Sequence, residues 1–158
     1  MDEASTDTMA DEWITLFDGT GFDHWRGYKQ DAMPEGWVLD GDAMYASTPD
    51  AGMDVVTRDT YTNFELELEW KVEENGNSGI MWHVDEAAGD YPWMTGPEYQ
   101  LLDDAAFNDG QIGKNSAGSN YDVQAPSEAV IRPAMEWNEA RIVVNGPHVE
   151  HWLNGVLV

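Results

Sequence analysis

Apolar and polar residues alternate with a period of two in several short stretches of this chain, and no stretch of convincing length has the 3.6-residue period of a helix. The clearest is 64–72, where Phe64, Leu66, Leu68, Trp70 and Val72 alternate with Glu65, Glu67, Glu69 and Lys71. That spacing predicts a strand with one face in a core and the other in water. In 78–84, Ile80, Trp82 and Val84 oppose Gly79, Met81 and His83; in 97–103, Tyr99 and Leu101 oppose Glu98, Gln100 and Leu102. Shorter strand-like runs fall at 13–17, 37–39, 43–45, 55–57, 141–144 and 149–153. Asp18-Gly19, Asp40-Gly41, Asn145-Gly146 and Asn154-Gly155 supply turn signals between them. Many short strands, no internal repeat and no second domain predict an all-β fold, a two-sheet antiparallel β-sandwich with Trp70, Ile80, Tyr99 and Leu101 between the sheets. Residues 104–128 read as a long polar loop, 1–11 as a disordered acidic leader, and 12–158 as the domain.

Composition changes the functional picture. The 158 residues hold 31 Asp and Glu against 7 Lys and Arg, a formal net charge of -24. Nucleic-acid binding needs clustered Lys and Arg to neutralise phosphates, so a nucleic-acid partner is not expected, and anionic membrane surfaces are disfavoured for the same reason. No apolar run approaches the ~20 residues of a membrane span. The absence of Cys excludes disulfides, thiolate metal sites and Cys nucleophiles. An acidic surplus with little Lys is also what high salt selects, because screening relieves self-repulsion, and this makes a halophilic setting the simplest source of the charge. Residues 1–11 lack the basic and apolar regions of a signal peptide.

Several blocks occur in a specific order. They are Trp13-Ile14-Thr15-Leu16-Phe17-Asp18-Gly19 with Trp25, Phe64-Glu65-Leu66 with Glu69-Trp70-Lys71, and Asn77-Ser78-Gly79-Ile80. Gly96-Pro97-Glu98-Tyr99-Gln100-Leu101-Leu102-Asp103-Asp104, Trp137-Asn138-Glu139-Ala140-Arg141 and His151-Trp152-Leu153-Asn154-Gly155 follow. Over 13–158 this set resembles the 3-keto-disaccharide (3-keto-glycoside) hydrolase family. The resemblance implies a concanavalin A-like lectin/glucanase jelly roll, a periplasmic or extracellular setting and a small carbohydrate or glycoside substrate. Family domains continue beyond the Leu153-Asn154-Gly155 turn, so the chain is expected to be a domain cut short, with a sheet edge left unpaired. The family often has Arg at the position of His83.

The chemistry implied is unusual for a glycosidase. A 3-keto group acidifies the C2 proton, a base removes it, the enolate expels the C1 substituent, and water adds to the product. Alternation sends Glu69, His83, Glu98 and Gln100 to the strand faces opposite the core, where they could converge on a concave surface. On that basis Glu98, His83 and Glu69 are the catalytic candidates. Gln100, Trp82, Trp93, Tyr121 and Asp122 are the substrate-binding candidates. A divalent cation, if used, would take Glu98, Asp103 and Asp104 as ligands. His148 and His151 read as structural. Two alternatives stay open. One is a non-catalytic carbohydrate-binding module of the same fold. The other is a conventional glucanase using Glu65-x-Glu67-x-Glu69, because carboxylates two residues apart on a strand lie ~6.6–6.8 Å apart along the backbone, close to the ~5–5.5 Å of retaining chemistry.

Overall fold

The computed structural model describes residues 12–48 and 54–158, so the expected leader lies outside the described residues. The chain divides into two units, Met1–Asp59 and Thr60–Val158. In the first unit, β1 (Trp25–Gly27) pairs antiparallel with β4 (Val55–Thr57), and β2 (Trp37–Asp40) forms a hairpin with β3 (Ala43–Ala46). The hairpin closes through Gly41-Asp42, with Gly41 at φ 60°, the first central position that a type II′ turn gives to glycine. Residues 13–17 are irregular rather than the strand their apolar run suggests. A side chain tethers this segment instead, the Trp25 indole donating to the Leu16 carbonyl at 2.8 Å.

The second unit contains β5 (Phe64–Trp70), β6 (Asn77–Met81), β7 (Glu98–Leu102), a five-residue helix α1 (Asp104–Asn108), β8 (Asn138–Asn145), β9 (His148–Leu153) and β10 (Val156–Leu157). One antiparallel sheet has the order β10-β9-β8-β5, and β6 pairs with β7. The two Asn-Gly signals are used differently. Asn154 and Gly155 are both central turn residues, at φ 49° and 80°, as a type I′ turn requires. Asn145 instead ends β8, and Gly146-Pro147 makes the loop.

The inner faces of the two sheets meet in one core. Trp70, Ala140, Ile142, Val144 and Leu153 come from the four-stranded sheet, and Tyr99 and Leu101 from β7; Trp82 and partly buried Ile80 join them. The buried Tyr99 hydroxyl donates to the Trp152 carbonyl at 3.0 Å, giving the polar end of the ring the partner that burial demands. All four residues expected between the sheets are in this core, and the fold is an all-β sandwich. The alternation expected through residue 84 stops at Met81, because His83 takes a left-handed backbone at φ 52° that no strand continues through.

Part of the expected long loop is an edge of the smaller sheet. Gly118 N donates to Gln100 O at 2.9 Å, Gln100 N to Ser119 O at 3.2 Å, and Tyr121 N to Glu98 O at 2.9 Å. The side of β7 away from β6 is therefore hydrogen-bonded too.

Candidate functional site

The candidate site is built on β7, an interior strand buried on both faces except at Glu98. Its register with β6 sets Glu98 opposite Met81 and Gln100 opposite Gly79. Glu98, Gln100, Gly79 and Asn77 consequently share one face, while Tyr99, Leu101 and Ile80 take the core face. Gln100 is only 2% exposed, and its Nε2 donates to Asn77 Oδ1 at 3.1 Å. The Glu98 carboxylate lies directly over Gly79. A Cβ on that residue would overlap Oε1 and fall 2.7 Å from Cδ. Glycine here makes room for a carboxylate that folds back across the sheet. The arrangement is a half-buried carboxylate anchored beside a fully buried amide on a strand paired along both edges.

Tyr121 and Asp122 lie on the edge segment, and the Tyr121 N–H bonded to Glu98 O brings the exposed Tyr121 next to Glu98. Asp122 is held at φ 59°, with its N–H on the Lys114 carbonyl at 2.9 Å. Asp103 and Asp104 are spent within the fold. Asp103 Oδ2 accepts from Asn75 N at 3.0 Å. Asp104 Oδ1 accepts from Ala117 N at 2.9 Å and from the Asn108 amide at 3.3 Å, while burial raises its pKa above the ordinary carboxylate value. Among the described residues, no three His, Asp or Glu side chains are grouped to hold a metal ion. Glu98, Asp103 and Asp104 thus do not present the oxygen cage that a hard cation takes.

Two other candidates, His83 and Glu69, lie off β7. His83 is exposed, with Nε2 2.8 Å from the Thr62 carbonyl and the ring edge-on to Phe64, at the start of β5. Glu69 pairs with Glu139 near the other end of β5, five residues from Phe64, or roughly 17 Å along a strand. It also projects from the outer face of the four-stranded sheet, so the core separates it from Glu98. The expected convergence of all four residues is therefore not formed: Glu98 and Gln100 come together, Glu69 lies across the core, and the His83 ring is engaged by Thr62 and Phe64. Trp82, expected as a stacking surface for sugar, is 6% exposed and packs edge-on against His151, with centroids 5.2 Å apart. Trp93 is exposed on the loop between β6 and β7.

On β5, Arg141 reaches from the neighbouring strand, ion-pairing with Glu65 and lying 3.7 Å from Glu67. Its guanidinium also sits 5.1 Å from the centre of the Trp152 ring. The guanidinium thus engages two of the three carboxylates of the Glu65-x-Glu67-x-Glu69 series.

Sequence reasoning singled out neither Asn77 nor Gly79 as site residues. The signal that identifies them is the register of β6 on β7, which sets Gly79 opposite Gln100 and Asn77 opposite Leu102 on the same face. It also read His151 as structural. The ring is buried against Tyr99, with centroids 4.8 Å apart, and Nδ1 donates to the Gly118 carbonyl at 2.9 Å. Among the described residues Nε2 has no hydrogen-bond partner, and burial lowers the pKa, which disfavours the charged ring. His151 thereby fastens the edge segment that covers β7.

An all-β sandwich of this form is shared with solved structures of glycosyl hydrolase-like proteins. Two from Parabacteroides distasonis, each described as a "putative glycosyl hydrolase", match with TM-scores of 0.79 and 0.69 at 32% and 25% identity. These matches cover 90% and 85% of this chain, and 69% and 70% of those chains. Residues 12–158 match the family described as the 3-keto-alpha-glucoside-1,2-lyase-like domain, and the chain belongs to that family. A curated relative from Bacteroides thetaiotaomicron, named 3-keto-disaccharide hydrolase, is 33% identical over an alignment covering 98% of this chain and 60% of its own. The chain thus spans less than two thirds of the length of that relative.

Proposed function

We propose that this chain acts on 3-keto-glycosides, with Glu98 as the base that removes the C2 proton. The electron pair left on C2 delocalises into the C3 carbonyl as an enolate. Its collapse forms the C1–C2 double bond and breaks the bond from C1 to the leaving oxygen, which departs as an alcohol once protonated. Water then adds at C1 and a proton returns to C2, so the sum is hydrolysis without a carboxylate pair. The lyase wording of the family description and the name of the curated relative support this reaction class. The observation that carries the assignment to Glu98 is its carboxylate lying over Gly79, beside buried Gln100 and bordered by Tyr121. Gln100 and Asn77 fix the floor of the face, and Tyr121, whose backbone N–H bonds Glu98 O, would be the residue to supply a hydroxyl donor for the developing enolate oxygen.

Replacing Glu98 by Gln keeps the shape and removes the base. The substitution is expected to abolish turnover of a 3-keto-disaccharide while moving the melting temperature by no more than about 2–4 °C, the scale of ~1 kcal/mol in a domain of this size. Retained turnover would refute the role of Glu98, and gross unfolding would show the residue to be structural. A glycan-binding module of the same fold is the second reading, favoured by the exposed aromatic pair described next.

A further inference from the structure

The loop joining β6 to β7 presents two near-parallel aromatic rings to solvent. Tyr91 and Trp93 have centroids 5.7 Å apart and planes within 10°, and they are 45% and 59% exposed. The backbone beneath them is firmly closed. Pro92–Met94 is a 3₁₀ turn with Pro92 buried, and Gly96 N donates to Pro92 O at 3.0 Å. Asp85 N donates to Thr95 Oγ1 at 2.9 Å and ties the two ends of the loop together. A Cβ at Gly89 would lie 3.1 Å from Met94 Cβ and 3.2 Å from Tyr91 O, so the chain is tightly wound under the rings. Rings already stacked on a closed loop lose little freedom when a ligand arrives.

The charge around them narrows the ligand class. Residues 72–113 contain no Lys or Arg, and the loop itself carries Asp85, Glu86 and Asp90. An anionic local sequence disfavours an anionic ligand and leaves a neutral one. The electron-rich face of an indole also attracts the partly positive C–H bonds on the flat side of a pyranose. We infer that Tyr91 and Trp93 form a stacking subsite for a neutral sugar ring, carried by the loop rather than by the Glu98 face. The inference rests on the carbohydrate reading for its class of ligand but is independent of elimination.

Cellobiose, which has no ketone, separates the two. Titrated into the full chain, it is expected to shift the Trp93 indole N–H resonance, assigned through Trp93→Phe, and the Met94 amide in a saturable manner. Methyl β-glucuronide is expected to leave both unmoved. Trp93→Ala should weaken cellobiose binding, followed at the Met94 amide, by at least about tenfold, equivalent to ~1.4 kcal/mol. Tyr91→Ala should weaken it less, and both variants should melt with the parent because the rings are exposed. Absence of a saturable shift, equal binding of the glucuronide, or unchanged affinity in Trp93→Ala would each overturn the subsite. Loss of turnover in Glu98→Gln bears on the catalytic reading alone.

Discussion

β5 and β7 show the same alternation of apolar and polar residues, yet their polar faces end in opposite environments. On β5, Glu65, Glu67 and Glu69 are exposed, and Arg141 answers two of them across the ladder. On β7, Gln100 is sealed against Asn77 and Glu98 is half-buried above Gly79. The difference comes from the neighbours. β5 pairs only with β8 among the named strands, whereas β7 is bonded to β6 on one side and to the segment around Ser119 on the other. A solvated carboxylate is replaceable. One held on a doubly paired strand is positioned, and positioning is what catalysis requires.

The comparison breaks most visibly at the core of β7. Tyr99→Ala removes a fully buried ring and its hydrogen bond, and is expected to destabilise by about 3–5 kcal/mol, lowering the melting temperature by roughly 6–20 °C. A drop of a degree or two in thermal unfolding would show that β7 is not the keystone of the sandwich. Gly79→Ala comes next. Its methyl group would displace the Glu98 carboxylate, and a misplacement of about 1 Å is enough to lower turnover about 100-fold, with overpacking of about 1–3 kcal/mol. Turnover at the parental level in this variant would detach Glu98 from the reaction.

Acidification sharpens the contrast through His151. Its pKa is lowered in the fold, first by burial, so at a pH between that value and about 6.5 the unfolded chain binds more protons than the native one. Stability from this residue is complete above about pH 6.5 and is lost as pH falls through the folded value. Asp54 and Asp104 have raised values and act in the opposite sense within the carboxylate range. The melting temperature should therefore fall from pH 7.5 toward 5.5, with protection of the Gly118 and Tyr121 amides against exchange lost early. Equal retention of both amides across that range would contradict the role of His151 as a fastener. The smallest effect belongs to β5: Glu67→Gln should change stability by less than ~0.5 kcal/mol, since the pair with Arg141 is exposed. A larger loss would mean that the outer face of β5 is not the replaceable surface it resembles.

Local pattern determined a large part of this protein. Period-two spacing marked β5 and the core faces of Trp70, Ile80, Tyr99 and Leu101, because successive side chains on a strand must point to opposite sides. Asp40-Gly41, Asn145-Gly146 and Asn154-Gly155 marked the hairpins, because those turns need positive φ. Alternation cannot say what covers the second face of a strand. The seal on Gln100 comes from Asn77 and from a segment around Ser119, residues 23 and 19 positions away in the chain, and only folding brings them there. Alternation also presumes that a strand continues. The left-handed backbone at His83 ended β6 early and turned the imidazole to Thr62, and the core between the sheets put Glu69 and Glu98 on opposite sides. Which residues are apolar, and at what spacing, is a property of the chain; which polar residues meet depends on register and packing between distant segments, and those exist only in the tertiary structure.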